Sequence, residues 1–309
     1  MTGHIAILGV FVADTAYRAD RAPKMGETIL GNSFALGPGG KGSNQAVAAA
    51  MAGADVRMIT HLGKDTFADL ALATWAKAGV TPEISQFEDD YTGAAYIFVE
   101  EATGNNAIIV CPGVAMSITP DDIEARRDVI ANASIFMTQL EQPIDAAIRA
   151  LEIAKDGGAR TILNPAPAAE LPESIYKLCD YVTPNESESE SLTGIKVDTI
   201  ASAENAADAF LDLGVGTAVI TLGENGIFLK SKSQSVHVPA FDAGAVVETT
   251  GAGDAFNGGF ATGLAEGMSP EAAARFGCAT AGISVTRAGT APSMPSRDEI
   301  EVLLTRSAQ

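Results

Sequence analysis

Residues 135–163, IFMTQLEQPIDAAIRALEIAKDGGARTIL, hold a short apolar run (Ile135 to Gln139), an Ala-rich helical stretch (Ile144 to Lys155) and a second short run (Thr161 to Leu163). Strand, helix, strand at this spacing predicts a parallel βαβ unit. The alternation extends toward the N-terminus, where Ile5 to Val12 precedes Ser43 to Met51, and Val56 to His61 precedes Phe67 to Lys77. It continues toward the C-terminus through Tyr181 to Thr183, Ala218 to Leu222, and the helical segments Ala255 to Glu266 and Pro270 to Val285. The expected fold is α/β: a doubly wound, mostly parallel sheet flanked by helices. Two regions, about 15–38 and 91–110, break the rhythm with short alternating segments: Glu27 to Leu36, Ala94 to Glu100 and Asn106 to Cys111, the last two joined by a Gly104-Asn105 turn. They predict hairpin strands in a small β-sheet lid on one domain spanning 1–309.

The composition supports a large core, with 47 % hydrophobic and only 19 % charged residues in 309. A formal net charge of −19 disfavours nucleic acid and anionic membranes as partners. An anionic ligand would therefore need local capture by backbone amides, a helix N-terminus or a metal. The three cysteines, Cys111, Cys179 and Cys278, are widely spaced, and no apolar run is long enough to span a bilayer. Residues 1–12 lack a basic leader and a small-residue cleavage site, so a cytoplasmic protein is expected. His4, His61 and His237 fall in no metal-ligand spacing, and neither GxSxG nor HExxH occurs.

Two glycine-rich segments open helices. Gly37-Pro38-Gly39-Gly40-Lys41-Gly42-Ser43-Asn44 lets the backbone approach a ligand closely. It is not a Walker loop, because Ala35 replaces the first glycine and Gly42 replaces the Ser or Thr after the lysine. Thr249-Thr250-Gly251-Ala252-Gly253-Asp254 begins like a dinucleotide fingerprint, but Phe256 stands at the third glycine. Its consecutive small residues leave amides free at a helix start, suited to charge on a transferring phosphoryl group. Asp254 in that first turn is either a dipole-compensating carboxylate or a general base. Smaller signals are Gln139-Leu140-Glu141, Thr183-Pro184-Asn185-Glu186, and the loop from Thr221 to Gly226, which also reads as an ordinary hairpin turn. All three follow predicted strands, where ligands of parallel sheets collect. The acidic run Glu186, Glu188, Glu190 reads as a solvated helix face.

In their order, the early GlyGlyLysGlySerAsn, the central ThrProAsnGlu, the ThrLeuGlyxxGly loop and the late GlyAlaGlyAsp resemble the ribokinase or pfkB-type carbohydrate kinase family. The similarity runs from about Ile5 to Leu304. It implies a ribokinase-like fold and ATP-dependent phosphorylation of a sugar, with Mg²⁺ carried by the nucleotide. It also implies Asp254 as base and Gly251, Ala252 and Gly253 as anion hole. Sugar-binding positions would be Asp14, Gly39, Gly40, Lys41, Asn44 and Glu141, and nucleotide-binding positions Asn185, Thr221, Gly223, Glu224, Gly226 and Gly253. The C-terminal segment resembles the family's monovalent-cation loop, which makes Glu248, Thr250, Ser284, Arg287, Gly289 and Ser293 candidate ligands for an activating K⁺.

The wording around Asn44-Gln45-Ala46, Asn164-Pro165-Ala166-Pro167 and Val285-Thr286-Arg287-Ala288-Gly289 resembles the family members that act on D-ribose at O5. Two positions depart from them: Val12 replaces a sugar-bonding Asn, and Glu248 replaces an Asp. 2-Deoxyribose, another sugar or a nucleoside therefore remains an alternative substrate, as does a non-catalytic sugar sensor. Apolar lid faces would suit a lid-to-lid homodimer.

Overall fold

The computed structural model describes residues 3–306. Strand β1 (Ile5–Leu8) starts the main sheet, and the chain then leaves it for β2 (Val12–Ala19) and β3 (Ser33–Gly39). Next come α1 (Lys41–Met51), β4 (Val56–Gly63), α2 (Thr66–Ala78), β5 (Val80–Phe87), and the hairpin of β6 (Thr92–Glu100) and β7 (Asn106–Gly113). The short helices α3 (Pro120–Glu124) and α4 (Arg127–Ala131) lead into β8 (Ile135–Thr138), α5 (Ile144–Gly157), β9 (Arg160–Leu163) and β10 (Tyr181–Val182). Then follow α6 (Glu186–Thr193), α7 (Ile200–Asp212), β11 (Thr217–Thr221), β12 (Ile227–Ser231) and β13 (Ser235–Val238). Helices α8 (Ala252–Ala265), α9 (Pro270–Ser284) and α10 (Arg297–Arg306) complete the described chain.

The main sheet has nine strands in the order β13-β12-β11-β10-β9-β8-β1-β4-β5. From β11 to β5 every neighbouring pair is parallel, whereas β12 and β13 form an antiparallel edge. The expected hairpin reading of the Thr221 loop is thus the observed one. Strand periodicity divides the central strands between two cores. Ile5 and Ile7 join Met58, Met137 and Phe260 on one face, while Ala6 and Leu8 join Ile59, Phe136 and Leu151 on the other. Burial on both faces makes these strands continuous apolar runs in the sequence.

The second sheet has the order β3-β2-β6-β7. Hairpin pairs β2/β3 and β6/β7 are joined by parallel pairing of β2 with β6, so hairpins alone do not describe it. The expected boundaries need three corrections. The run Ile5 to Val12 is divided, because the chain passes from one sheet to the other between Leu8 and Val12. Strand β3 begins at Ser33 rather than Glu27, and residues 27–32 belong to the exposed connection before it. The first helix starts at Lys41 and the one bearing Asp254 at Ala252, earlier than Ser43 and Ala255, because glycine backbones enter the helices without a side-chain cap.

Candidate active site

Helices α1 and α8 bring the two glycine-rich segments together. Gly258 makes this possible: a Cβ there would lie 2.5 Å from the Ala48 methyl group and 2.7 Å from Ala49 N, so only glycine admits the helix pair at this spacing. The contact sets the first turn of α1 beside that of α8. Asn44 Nδ2 donates to Asp254 Oδ2 and Gln45 Nε2 to Asp254 Oδ1, each at 3.0 Å. Asp254 is buried, and burial raises its pKa against the opposing influence of Lys41, Asn44 and Gln45.

The loop between β3 and α1 closes on two further carboxylates. Asp14 lies directly against Gly39, where any Cβ would collide with its carboxylate. Lys41 N donates to Glu141 Oε2 at 2.8 Å. Burial pushes Asp14 up to about 6, with Glu248 adding to the rise, and pushes Glu141 up to about 7 against the attraction of Lys41. Val12 precedes Asp14 by two residues on β2, so the two share a face of the second sheet. Val12 is 5 % exposed and clusters with Val10, Ala95 and Ala115.

Two cavities meet at Asn185, Thr221 and Gly253. The inner one, about 160 Å³, is lined by Lys41, Asn164, Thr183, Glu188, Gly251 and Asp254 among others. The outer one, about 790 Å³, is lined by all the expected nucleotide positions: Asn185, Thr221, Gly223, Glu224, Gly226 and Gly253. Its wall is completed by apolar side chains, including Phe241, Val246, Phe256 and Val285. A polar end opening on Asp254 and an apolar outer chamber suit a nucleotide whose phosphates point inward.

The candidate cation residues divide. Gly289 N donates to Glu248 Oε2 at 2.8 Å, so these two are together. The Arg287 guanidinium pairs instead with Glu299 on α10. Ser284 Oγ donates to the Ala281 carbonyl at 2.8 Å and Ser293 Oγ to the Thr290 carbonyl at 2.7 Å. Thr290 ties the segment to the end of β3, where its hydroxyl donates to the Pro38 carbonyl at 2.8 Å, and it lies close to the start of α8, where a Cβ on Gly251 would come within 3.3 Å of it.

The acidic run on α6 corrects the sequence reading. Glu188 is 9 % exposed, not solvated, because it closes a capping box: Asn185 Oδ1 accepts from Glu188 N at 2.8 Å and Glu188 Oε2 accepts from Asn185 N at 2.9 Å. Glu188 therefore faces the inner cavity, and burial raises its pKa. Sequence reasoning also passed over Asn257, whose Nδ2 donates to the Gly253 carbonyl at 2.9 Å and whose Oδ1 accepts from Thr183 Oγ at 2.7 Å. Its position three residues after Asp254 on one helix was the available signal.

A buried carboxylate at a glycine-opened helix, lining a polar pocket that meets a nucleotide-sized cleft, defines a small-molecule phosphotransferase. The pfkB family carbohydrate kinase pattern matches residues 3–297, and the chain belongs to that family. It is 39 % identical over 296 residues to the ribokinase of Haemophilus influenzae, covering 96 % of each chain. It is 37 % identical over 303 residues to the deoxyribokinase of Salmonella typhi, covering 97 % of this chain and 98 % of that one. The structure of Arabidopsis thaliana ribokinase complexed with ribose and ATP matches with a TM-score of 0.93 at 30 % identity, covering 98 % of this chain and 99 % of that one. Among the described residues, no helix is long and apolar enough to cross a membrane.

Proposed function

We propose that this protein is an ATP-dependent sugar kinase that phosphorylates D-ribose at O5 to give D-ribose 5-phosphate. The observation that carries the reading is Asp254, buried at the wall of the inner cavity with each carboxylate oxygen held by an amide from α1. Two donors leave lone pairs on both oxygens to accept the proton of an attacking hydroxyl. The small residues Gly251, Ala252 and Gly253 present backbone amides to the charge that develops on the phosphoryl oxygens. Asp14, Asn44 and Glu141, with the backbone at Gly39, Gly40 and Lys41, orient the sugar hydroxyls. The lid sheet covers them and excludes water that would hydrolyse ATP.

Glu188, whose Oε1 is left free by the capping box, would supply a hard oxygen to hold Mg²⁺ beside the phosphates. That ion neutralises phosphate charge, which a chain of net charge −19 otherwise repels. K⁺ bound near Glu248 and Gly289 is the corresponding reading of the C-terminal segment. Cytoplasmic residence and a single 1–309 domain with a mobile lid complete the proposal. Tyr17, Phe34, Leu36, Tyr96 and Ile109 share one exposed lid face by register, which supports a lid-to-lid homodimer.

2-Deoxyribose is the second reading, favoured by the apolar Val12 on the lid face that carries Asp14. ADP release measured over ribose, 2-deoxyribose, other sugars and nucleosides tests both. Ribose giving the highest kcat/KM supports the first reading, and no turnover with any of them would leave only a sensor.

A further inference from the structure

One buried amide connects the two helix ends to the middle of the sheet. Gln45 is 0 % exposed. Its Nε2 donates to both Asp254 Oδ1 and Asn164 Oδ1 at 3.0 Å, and its Oε1 accepts from Gln139 Nε2 at 2.6 Å. Both N–H donors and the carbonyl are thus in use. The reversed amide would set oxygen against two oxygens and NH₂ against NH₂, so the network admits one orientation. Asn164 is fixed in turn, because its Nδ2 donates to the Thr183 carbonyl at 2.9 Å and leaves Oδ1 for Gln45. This places Gln139 and the Asn164-Pro165 motif, singled out in the sequence without an assigned role, in a chain that ends on Asp254.

We propose that Gln45 is the positioning residue of the general base. Clamped by Gln139 and Asn164, it holds the Asp254 carboxylate in the plane from which its remaining lone pairs meet the attacking hydroxyl. The inference rests on Asp254 being the base. The charged groups facing Asp254 are Lys41 from α1, Glu141 from the loop after β8 and Glu188 from α6. Of these, Lys41 favours the ionised form and the two carboxylates oppose it. The donors from Asn44 and Gln45 therefore act with Lys41 against burial.

Gln45→Met keeps the length of the side chain and removes its donors. In the full-length protein, kcat is expected to fall about 10- to 100-fold, with KM for ribose and for ATP changed less than about threefold. The acid limb of the kcat–pH profile should move to higher pH, since a carboxylate with one donor fewer protonates more readily. Gln139→Met reaches Asp254 only through Gln45, so it should shift both readouts the same way by less, and it carries the test if Gln45→Met does not fold. In an Asp254→Asn background, Gln45→Met should slow the residual reaction by less than about threefold. An unmoved acid limb with kcat within threefold of the parent overturns the proposal, as does an equal loss from Gln45→Met with and without Asp254. Near-normal kcat in Asp254→Asn alone would instead remove the base itself.

Discussion

Helices α1 and α8 begin alike and are used differently. Each is entered through a glycine with positive φ, Gly40 at 85° and Gly251 at 82°, and neither has a side-chain cap. At α1 the protein supplies its own acceptor, since the Lys41 amide is taken by the Glu141 carboxyl group. At α8 the carboxylate in the first turn, Asp254, is held by Asn44 and Gln45 of the neighbouring helix. The α1 end, already met by a carboxylate, is suited to neutral hydroxyls, whereas the α8 end borders the cavity where phosphate would enter. Identical local chemistry acquires its role from what the fold sets opposite it.

The largest expected effect tests the α8 end. Asp254→Asn should lower kcat by about 10² to 10⁴ while sugar and ATP affinities stay within several-fold. Steady-state kinetics with separate binding titrations measure this, and a near-normal kcat would break the distinction between the helix ends.

The next effect belongs to α1 and appears as pH dependence of stability. Glu141, pushed up to about 7 from the usual 4.5, is protonated more readily in the folded than in the unfolded chain. Its contribution is therefore fully present below about 4.5 and is lost as pH rises through about 7. Between those values the parent should lose up to about 1 kcal/mol per pH unit relative to Glu141→Gln. Denaturant unfolding of both proteins at several pH values checks the sign, and parallel curves would show that Glu141 titrates normally.

A smaller effect is expected at Val12, beside the α1 end. Val12→Asn should shift kcat/KM toward ribose over 2-deoxyribose by about tenfold, because an amide can bond a hydroxyl that valine leaves unpartnered. An unchanged ratio assigns Val12 to packing with Val10, Ala95 and Ala115 alone. The smallest effect concerns the C-terminal segment that Thr290 ties to Pro38 and sets close to Gly251. Replacing Na⁺ by K⁺ at equal ionic strength should raise kcat about threefold by ordering the amides at Gly251 to Gly253. Indifference to the cation would mean that Glu248, bonded to Gly289 N, occupies the site itself.

Much of this was legible in residue order. The alternation around Ile135 to Leu163 predicted the parallel sheet because strands buried on both faces must be apolar throughout. The glycine-rich segments, Asp254 and the Thr221 to Gly226 loop that lines the outer cavity were legible because close backbone approach and helix starts leave local compositional marks. The division of Ile5 to Val12 between two sheets left no such mark, since both parts are apolar. Neither did the inward turn of Glu188, which looks like its exposed neighbour Glu190 until Asn185 draws it into the capping box.

By itself the sequence determined the fold class and brought forward the glycine-rich helix starts with Asp254, though not Glu188 or Asn257, because periodicity, glycine and helix-start chemistry act over a few residues. Only the tertiary structure decided which of them work together. Gln45 and Asp254 stand 209 positions apart, and Gln139 and Asn164 lie on other strand ends. Their hydrogen bonds depend on the close contact of α1 with α8 over the central strands of the sheet. That contact is a matter of three-dimensional packing, which no short stretch of chain encodes.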